Sequence, residues 1–422
     1  MSASDVDAFL GLLRGLSSGH LTIRDDRGGE YSFGDVASGP SARVIIHDES
    51  LYSRLLRDGE LGLGQSYVDG WWDEADDRLV DLFAIILQNQ LDKKFRGALG
   101  VKVRVIRHHL STLATRSRSR QNITSHYDLG NDFFQLFLDP TLAYSCGYQR
   151  QPNDSLSQMQ LQKYELVCRK LQLRRGDRLL DIGSGWGGLL LYAAKRFGVE
   201  GVGVTISPQQ HAWSQRRLEE EGLQEQLEFR VQDYRDVDGS FDKVVSVGMF
   251  EHVGREYQRQ FFAKLHQVLR PEGAALLHTM ATPRGGLPSE WLRRHVFPGT
   301  YLPSLADLAR RIYLSGDTVV HVENLKPHYA ETARLWSRRF EENRNAVLSL
   351  GPPYDEKFVR LWNYYLQFLE ASFRHGTLQV YQVLMSKGTA WSMPMQLDFQ
   401  NSTLGDSDFA YATSHSRHED LR

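Results

Sequence analysis

At 422 residues the chain is long enough for two or three domains, and its 41% hydrophobic and 24% charged content is that of a globular protein. A formal net charge of -2 excludes a global basic field and, with it, charge-driven binding of nucleic acid, so any electrostatic partner must be held by a local patch. The two cysteines, Cys146 and Cys168, exclude a disulfide framework and fit a reducing compartment.

The first stretch, MSASDVDAFLGLLRG, is acidic and lacks the charged segment and long apolar run of a signal peptide. No stretch approaches the roughly 18 apolar residues of a membrane span. A cytoplasmic protein that meets a membrane only from the side is expected. Short alternating segments at His20–Ile23 and Ala42–His47, with turn residues between them, predict a small α+β domain. It contains GLGQSYVDGWW, whose Tyr67, Trp71 and Trp72 read either as a core aromatic cluster or as a lipid-facing patch.

Residues 93–120 change character. Lys93, Lys94, Arg96, Lys102, Arg104, Arg107, Arg116, Arg118 and Arg120 are nine cations with no acid among them. Phe95, Leu99, Val103, Ile106, Leu110 and Leu113 recur at helical spacing. A basic amphipathic helix over 93–113 suits an anionic membrane surface, each cation contributing about 1 kcal/mol there. The plainer alternative is a solvated linker helix. Residues 116–122 read as a linker between a first domain at 1–115 and a second at 123–390. In the second, helices alternate with strands predicted at Arg178–Ile182, Glu200–Thr205, Leu227–Val231, Lys243–Val247, Ala274–His278, Thr318–Asn324 and Leu378–Ser386. Alternation of this kind predicts a parallel sheet covered on both faces. The polar tail, 391–422, reads as disordered.

The segment RLLDIGSGWGGLLLYAAKRFG, at 178–198, reads as a strand, a glycine loop and a helix. Glycines let the backbone turn sharply and approach a ligand closely. Gly183, Gly185 and Gly188 match GxGxxG, a weak signal taken alone. Asp181 gives the order Asp-x-Gly-x-Gly-x-Gly, and the next strand ends in Thr205-Ile206-Ser207 rather than in the acid a dinucleotide site uses for its ribose. Both features favour S-adenosylmethionine, which carries no pyrophosphate.

From HYDLGNDFF (126–134) onward the chain resembles the cyclopropane fatty acid synthase family, which includes the mycolic acid cyclopropane synthases. The matching stretches are YSCGY (144–148), LLDIGSGWGG (179–188), VGVTISPQQ (202–210), QDYRD (232–236), SVGMFEHVG (246–254), LLHTM (276–280), VFPGTYLPS (296–304) and LQVYQVLMSKG (378–388). The first 115 residues look like the N-terminal lipid-associated domain of longer bacterial members. The resemblance implies an α/β protein: a class I S-adenosylmethionine-dependent methyltransferase, Rossmann-like, with a smaller N-terminal α+β lipid-associated domain. It implies cofactor contacts at Tyr144 and Ser145 on the methionine end, and at Gly183 and Gly185 in the loop after Asp181. Thr205 and Gln210 would serve the ribose side, and Gln232 and Asp233 the adenine edge. Ser184 departs from the cysteine common in that loop.

An alkene is a weak nucleophile, so catalysis begins by holding it in line with the sulfonium methyl. Transfer leaves a carbocation on the acyl chain. The site must therefore be dry, and π faces stabilise the cation by roughly 0.5–2 kcal/mol each. A base then removes a proton from the added methyl and the ring closes. The resemblance implies that bicarbonate is this base, held by Cys146, Glu251, His278 and Tyr329. A glutamate beside an anion requires a shared proton. Glu251-His252 is not a metal-binding HExxH, Cys168 has no partner at zinc spacing, and no metal is expected. Trp362, Tyr364, Tyr365, Phe368 and Phe373 are candidates for the acyl pocket.

The expected reaction is therefore cyclopropanation of a cis double bond in an unsaturated phospholipid acyl chain. It would occur at an anionic membrane surface, by a peripherally bound homodimer, with no nucleic acid involved. The same first step followed by a different proton loss gives a methylene- or methyl-branched chain. A small-molecule N-methyltransferase, or a lipid-binding module without catalysis, are the other readings.

Overall fold

The computed structural model describes residues 3–96 and 129–388. The linker expected at 116–122, most of the basic segment at 93–113 and the tail at 391–422 lie outside the described residues. One compact unit draws on Met1–Leu113, Leu287–Pro298 and Ala333–Leu378; the other draws on Ala114–Gly286, Gly299–Thr332 and Gln379–Arg422. The sequence reading expects a single break near 116–122. Instead, two later segments join the N-terminal residues.

The physical reason lies in the helix Glu356–Arg374, which Asp355 caps by accepting from the Phe358 N–H at 2.9 Å. Its aromatic side is matched by aromatics of the N-terminal segment rather than by a sheet. Phe83, on the helix Leu79–Gln88, meets Tyr364 edge-on at 4.9 Å and Phe368 at 5.2 Å. Tyr364 also packs on Trp291 at 4.4 Å. Trp362, Tyr364, Tyr365 and Phe373 are buried here as ordinary core. Tyr67 and Trp72 are core as well, with the Trp72 indole N–H donating to Leu63 O at 3.1 Å, while Trp71 lies half-buried under the Arg54 guanidinium.

This unit carries a four-stranded sheet of β1 (His20–Arg24), β2 (Glu30–Gly34), β3 (Ser41–Ile46) and β4 (Trp72–Glu74), in the order β2-β1-β3-β4. β1 runs antiparallel to β2 and parallel to β3, and β4 is antiparallel to β3. Alternate residues of β1 and β3 are buried, the pattern of a sheet covered on one face.

The other unit holds a seven-stranded sheet. Its strands are β5 (Arg178–Ile182), β6 (Glu200–Thr205), β7 (Leu227–Val231), β8 (Phe241–Val247), β9 (Leu269–Ala281), β10 (Thr318–Asn324) and β11 (Gln379–Ser386), in the order β10-β11-β9-β8-β5-β6-β7. β7 through β9 are mutually parallel, with β5 in the middle and buried along most of its length. β11 is antiparallel to both β9 and β10, so the sheet is mixed rather than wholly parallel. Alternating helices and strands cannot reveal this, because the reversal depends on where the last strand inserts. Its core is a continuous cluster including Leu180, Val204, Phe250, Phe261, Leu277 and Met385. From β5 the chain winds outward to β6 and β7, then crosses back to β8 on the other side. Such a reversal opens a crevice at the carboxyl ends of the strands, where ligands of open α/β sheets bind.

In the first unit, Gly64 faces the wholly buried Trp291: a Cβ there would lie 2.4 Å from the indole. Gly64→Ala should therefore lower unfolding stability by about 1–3 kcal/mol, read as a lower midpoint in urea at constant slope.

Candidate active site

The crevice at β5 is built by backbone geometry. Gly183 and Gly187 hold φ of 82° and 86°, and a Cβ would strike the Met249 side chain at 2.7 Å or the Phe229 ring at 2.7 Å. Gly185, at φ 55°, has open space where a Cβ would stand. Gly183 N and Ser184 N both donate to Val204 O, at 2.9 and 3.0 Å, which ties the loop to the end of β6. The helix Gly188–Phe197 then starts directly from Gly187.

One cavity is lined by every residue expected to touch the cofactor: Tyr144, Ser145, Asp181, Gly183, Gly185, Thr205, Gln210, Gln232 and Asp233. Thr205 Oγ1 donates to Gln210 Oε1 at 2.8 Å and accepts from Ser207 N at 3.2 Å, which pins the end of β6 to the helix Pro208–Glu220. Gln232 N donates to Thr205 O at 2.9 Å. Both oxygens of Asp233 accept from Arg235, at 2.8 and 2.6 Å, so this carboxylate is held rigidly at the cavity rim.

Sequence reasoning missed Lys163, which is 1% exposed and lines the same cavity. It lies on the helix Leu156–Lys170, capped by a Ser155–Gln158 box and buried on nearly every side. Its Nζ donates to Ser145 Oγ at 2.9 Å and to Gln160 Oε1 at 2.7 Å, while Gln160 Nε2 donates to Ser145 O at 2.9 Å. The loop carrying Tyr144, Ser145 and Cys146 is thus nailed to the helix. Burial presses the Lys163 pKa down to about 8, the nearby Asp139, Cys146 and Asp181 opposing it. Burial likewise lifts Asp181 to about 7 against the pull of Lys163. A lysine among polar residues on a helix reads as exposed in the linear sequence, and only the packing around nearly every side of this helix strips Lys163 of water.

None of the four residues of the expected anion set is among those that line this cavity, although Ser145 and His252, next in the chain to Cys146 and Glu251, do line it. Glu251 is tied to strand β9, which carries His278, two residues beyond that histidine. Gly248 N donates to His278 O at 2.9 Å, and Met280 N donates to Glu251 Oε1 at 2.6 Å. Cys146 Sγ reaches the Leu325 carbonyl at 3.8 Å, the same carbonyl that takes the backbone N–H of Tyr329 at 3.1 Å, so the cysteine lies beside the start of the helix that carries Tyr329. Gly147 N donates to Thr332 Oγ1 at 3.0 Å, holding the cysteine loop to the helix Lys326–Glu342. Burial pushes the Cys146 thiol well up, with Lys163 and Thr332 pulling it only partly back, so it stays an S–H donor and is no nucleophile at neutral pH.

The charge states are set by burial. Glu251 is lifted to about 7, its bonds to Met280, its own backbone and Thr279 offsetting only part of this. His278 is pressed down to about 3, by burial first and then by Lys163 and Lys170, and is neutral. His252, which lines the cavity, is also neutral, its pKa lowered by burial to about 4.

Two groups bear on what the site can hold. The open face of the glycine loop, with Asp181 behind it and Thr205, Gln210 and Asp233 along one wall, fits a ligand that has an amino acid end and a nucleoside end. Outside the residues that line the cavity, Glu251 Oε2 and His278 Nε2 are buried without hydrogen-bond partners. A protonated Glu251 and a neutral imidazole fit a small anion that accepts hydrogen bonds, and an unmet pair of this kind otherwise costs about 1–3 kcal/mol per group.

A glycine loop behind an acid-terminated strand, at the reversal point of a sheet with one inverted strand, defines an S-adenosylmethionine-dependent methyltransferase. The comparisons agree. A model of the mycolic acid cyclopropane synthetase family matches residues 114–383. The chain is 38% identical over 355 residues to the cyclopropane-fatty-acyl-phospholipid synthase of Escherichia coli, covering 82% of this chain and 88% of that one. It is 34% identical over 381 residues to the tuberculostearic acid methyltransferase UfaA1 of Mycobacterium tuberculosis, covering 83% and 86%. Among solved structures it superposes on mycolic acid cyclopropane synthase CmaA1 complexed with SAH and CTAB, with a TM-score of 0.60, 33% identity, and coverage of 64% of this chain and 98% of that one. The chain belongs to the mycolic acid cyclopropane synthetase family.

Because the native pKa of Glu251 lies above its unfolded value of 4.5, its favourable contribution is complete at low pH and is lost as pH rises toward about 7. Glu251→Gln removes that loss. Its stability relative to the parent should rise between pH 5 and pH 8 by up to about 3 kcal/mol, measured by urea unfolding across that range.

Proposed function

We propose that this enzyme transfers the methyl group of S-adenosylmethionine to a cis double bond in an unsaturated fatty acyl chain of a phospholipid, and that a bound bicarbonate assists proton removal to give a cyclopropane. The observation that carries this reading is that two buried groups, a neutral His278 Nε2 and the proton-bearing Glu251 Oε2, lack hydrogen-bond partners. Such groups suit an anionic base held out of water. The similarity to the E. coli cyclopropane-fatty-acyl-phospholipid synthase supports the same substrate class.

When bound, S-adenosylmethionine supplies an electrophilic methyl and bicarbonate supplies a proton acceptor. The chain's own residues do the rest. Tyr144 and Ser145 receive the methionine end, and Lys163 fixes Ser145 so that the loop does not shift. Gly183 and Gly185 let the backbone close on the ligand, while Thr205, Gln210, Gln232 and Asp233 frame its nucleoside end. Cys146, Glu251, His278 and Tyr329 hold the anion. Glu251 carries a proton at Oε2 below about pH 7 and so donates rather than repels. Burial of Cys146, Glu251 and His278 excludes water that would capture a cation on the acyl chain. The buried aromatics of the Glu356–Arg374 helix are assigned to core packing.

Residues 1–115 form, in this reading, a lipid-associated domain whose basic segment at 93–113 binds the anionic surface of a membrane from the cytoplasmic side. A homodimer would engage a vesicle with avidity. The UfaA1 similarity keeps a methyl- or methylene-branched product as the second reading.

Purified protein incubated with methyl-labelled S-adenosylmethionine, bicarbonate and unsaturated phospholipid vesicles should yield acyl chains heavier by one CH₂ and carrying a cyclopropane, by mass spectrometry and proton NMR. Glu251→Gln should lose at least about 100-fold of that activity, the scale of a misplaced acid–base group. Label found in a branched, ring-free chain would replace the first reading by the second. Label found only in a soluble amine would remove both.

A further inference from the structure

His278 carries its anion-facing role only if its one ring proton sits on Nε2, and the surrounding side chains dictate that choice. Gln382 lies directly opposite His278 in the β9–β11 ladder. Its amide is wedged between the imidazole, Nε2 to His278 Nδ1 at 3.2 Å, and the Lys170 ammonium, which meets Gln382 Oε1 at 2.7 Å. An ammonium has donors and no acceptor, so it can only face the amide oxygen. The amide NH₂ is then turned toward His278, and Nδ1 must accept. In a neutral imidazole the proton is left on Nε2, the atom that is buried without a partner.

Lys170 is itself held. It is 1% exposed and pairs with Glu323, a carboxylate that also receives the Tyr148 hydroxyl at 3.4 Å. Tyr148 stacks on His328 with ring centroids 4.5 Å apart. A buried lysine, a buried glutamine and an ion pair therefore converge on one face of one imidazole, and the glycine-loop cavity includes none of Lys170, Glu323 and Gln382. Core packing alone would be served by apolar side chains at lower desolvation cost.

We infer that Lys170 and Gln382 are positioning residues which fix His278 as the Nε2–H tautomer, so that it donates to the anion rather than competing with it for protons. The inference rests on the proposed bicarbonate reading for its purpose, although the tautomer itself is a property of the resting protein. A carboxylate placed at 382 would accept from both neighbours and draw the ring proton to Nδ1.

Nitrogen-15 NMR of histidine-labelled protein, with His278 assigned by its absence in His278→Gln, reports the tautomer directly. Neutron diffraction locates the same proton with no variant at all. The parent protein and Lys170→Arg should both show Nε2–H. Gln382→Glu at pH 8 should show Nδ1–H, and should raise the bicarbonate concentration for half-maximal activity at least about tenfold while leaving the KM for S-adenosylmethionine unchanged. A parent His278 bearing its proton on Nδ1, or unchanged nitrogen shifts in Gln382→Glu, would overturn the inference. Absence of any cyclopropane product alongside an Nε2–H His278 would instead strike the functional reading and leave the tautomer assignment standing.

Discussion

Charge buried without water is the constraint on which this active site turns. Lys163, Asp181, Glu251 and His278 sit where solvent does not reach, and each is pressed toward its neutral form. In water these groups would be a cation, two anions and a half-protonated ring. Inside the protein they become a set of donors and weak acceptors whose charges are held near balance. The proposed reaction, which passes through a carbocation, would need such a place, because bulk water would end it and a fixed full negative charge nearby would trap it.

The sheet makes that burial possible. β5 and β8 are flanked by parallel neighbours, so their carboxyl ends open into one crevice with apolar strands behind it. β11, inserted antiparallel beside β9, brings Gln382 opposite His278. The inverted strand thus places a side chain that a wholly parallel sheet would have aimed elsewhere. The helix Leu156–Lys170 contributes lysines to two different jobs: Lys163 anchors the Ser145 loop and Lys170 anchors the Gln382 amide. A single rigid element therefore sets the position of the cofactor loop and the orientation of the imidazole together.

Family membership and chemistry carry different weights here. The match over residues 114–383 defines a fold and a lineage, and relatives in that lineage are named both for cyclopropanes and for tuberculostearic acid. In the proposed reaction, ring and branched products diverge after methyl transfer, at the proton that is removed. In the proposed reading, what discriminates them is the set Cys146, Glu251, His278 and Tyr329 and whatever holds it, rather than the glycine loop.

Much was legible along the chain. The strands at Arg178–Ile182 and Glu200–Thr205 were legible because central strands buried on both faces are largely apolar and turn residues mark their limits, and the edge strands Leu227–Val231 and Thr318–Asn324 because β-branched and apolar residues alternate with polar ones between turn residues. The residues that line the glycine-loop cavity were legible because they sit in short contiguous motifs, most of them at strand ends. The reversal of β11, the return of 287–298 and 333–378 to the N-terminal unit, and the short strand β4 were not legible, since pairing partners far apart in sequence leave no local periodicity. The aromatics of Glu356–Arg374 read equally well as pocket or core until Phe83 and Trp291 appeared beside them. Lys163, Lys170 and Gln382 look like surface residues in a linear reading. What a local pattern of side chains and turns encodes, the sequence determined by itself. Which polar groups would be stripped of water, and so which would be neutral and toward which atom a proton would face, only the tertiary structure decided, because desolvation is a property of everything packed around a residue and not of the residue alone.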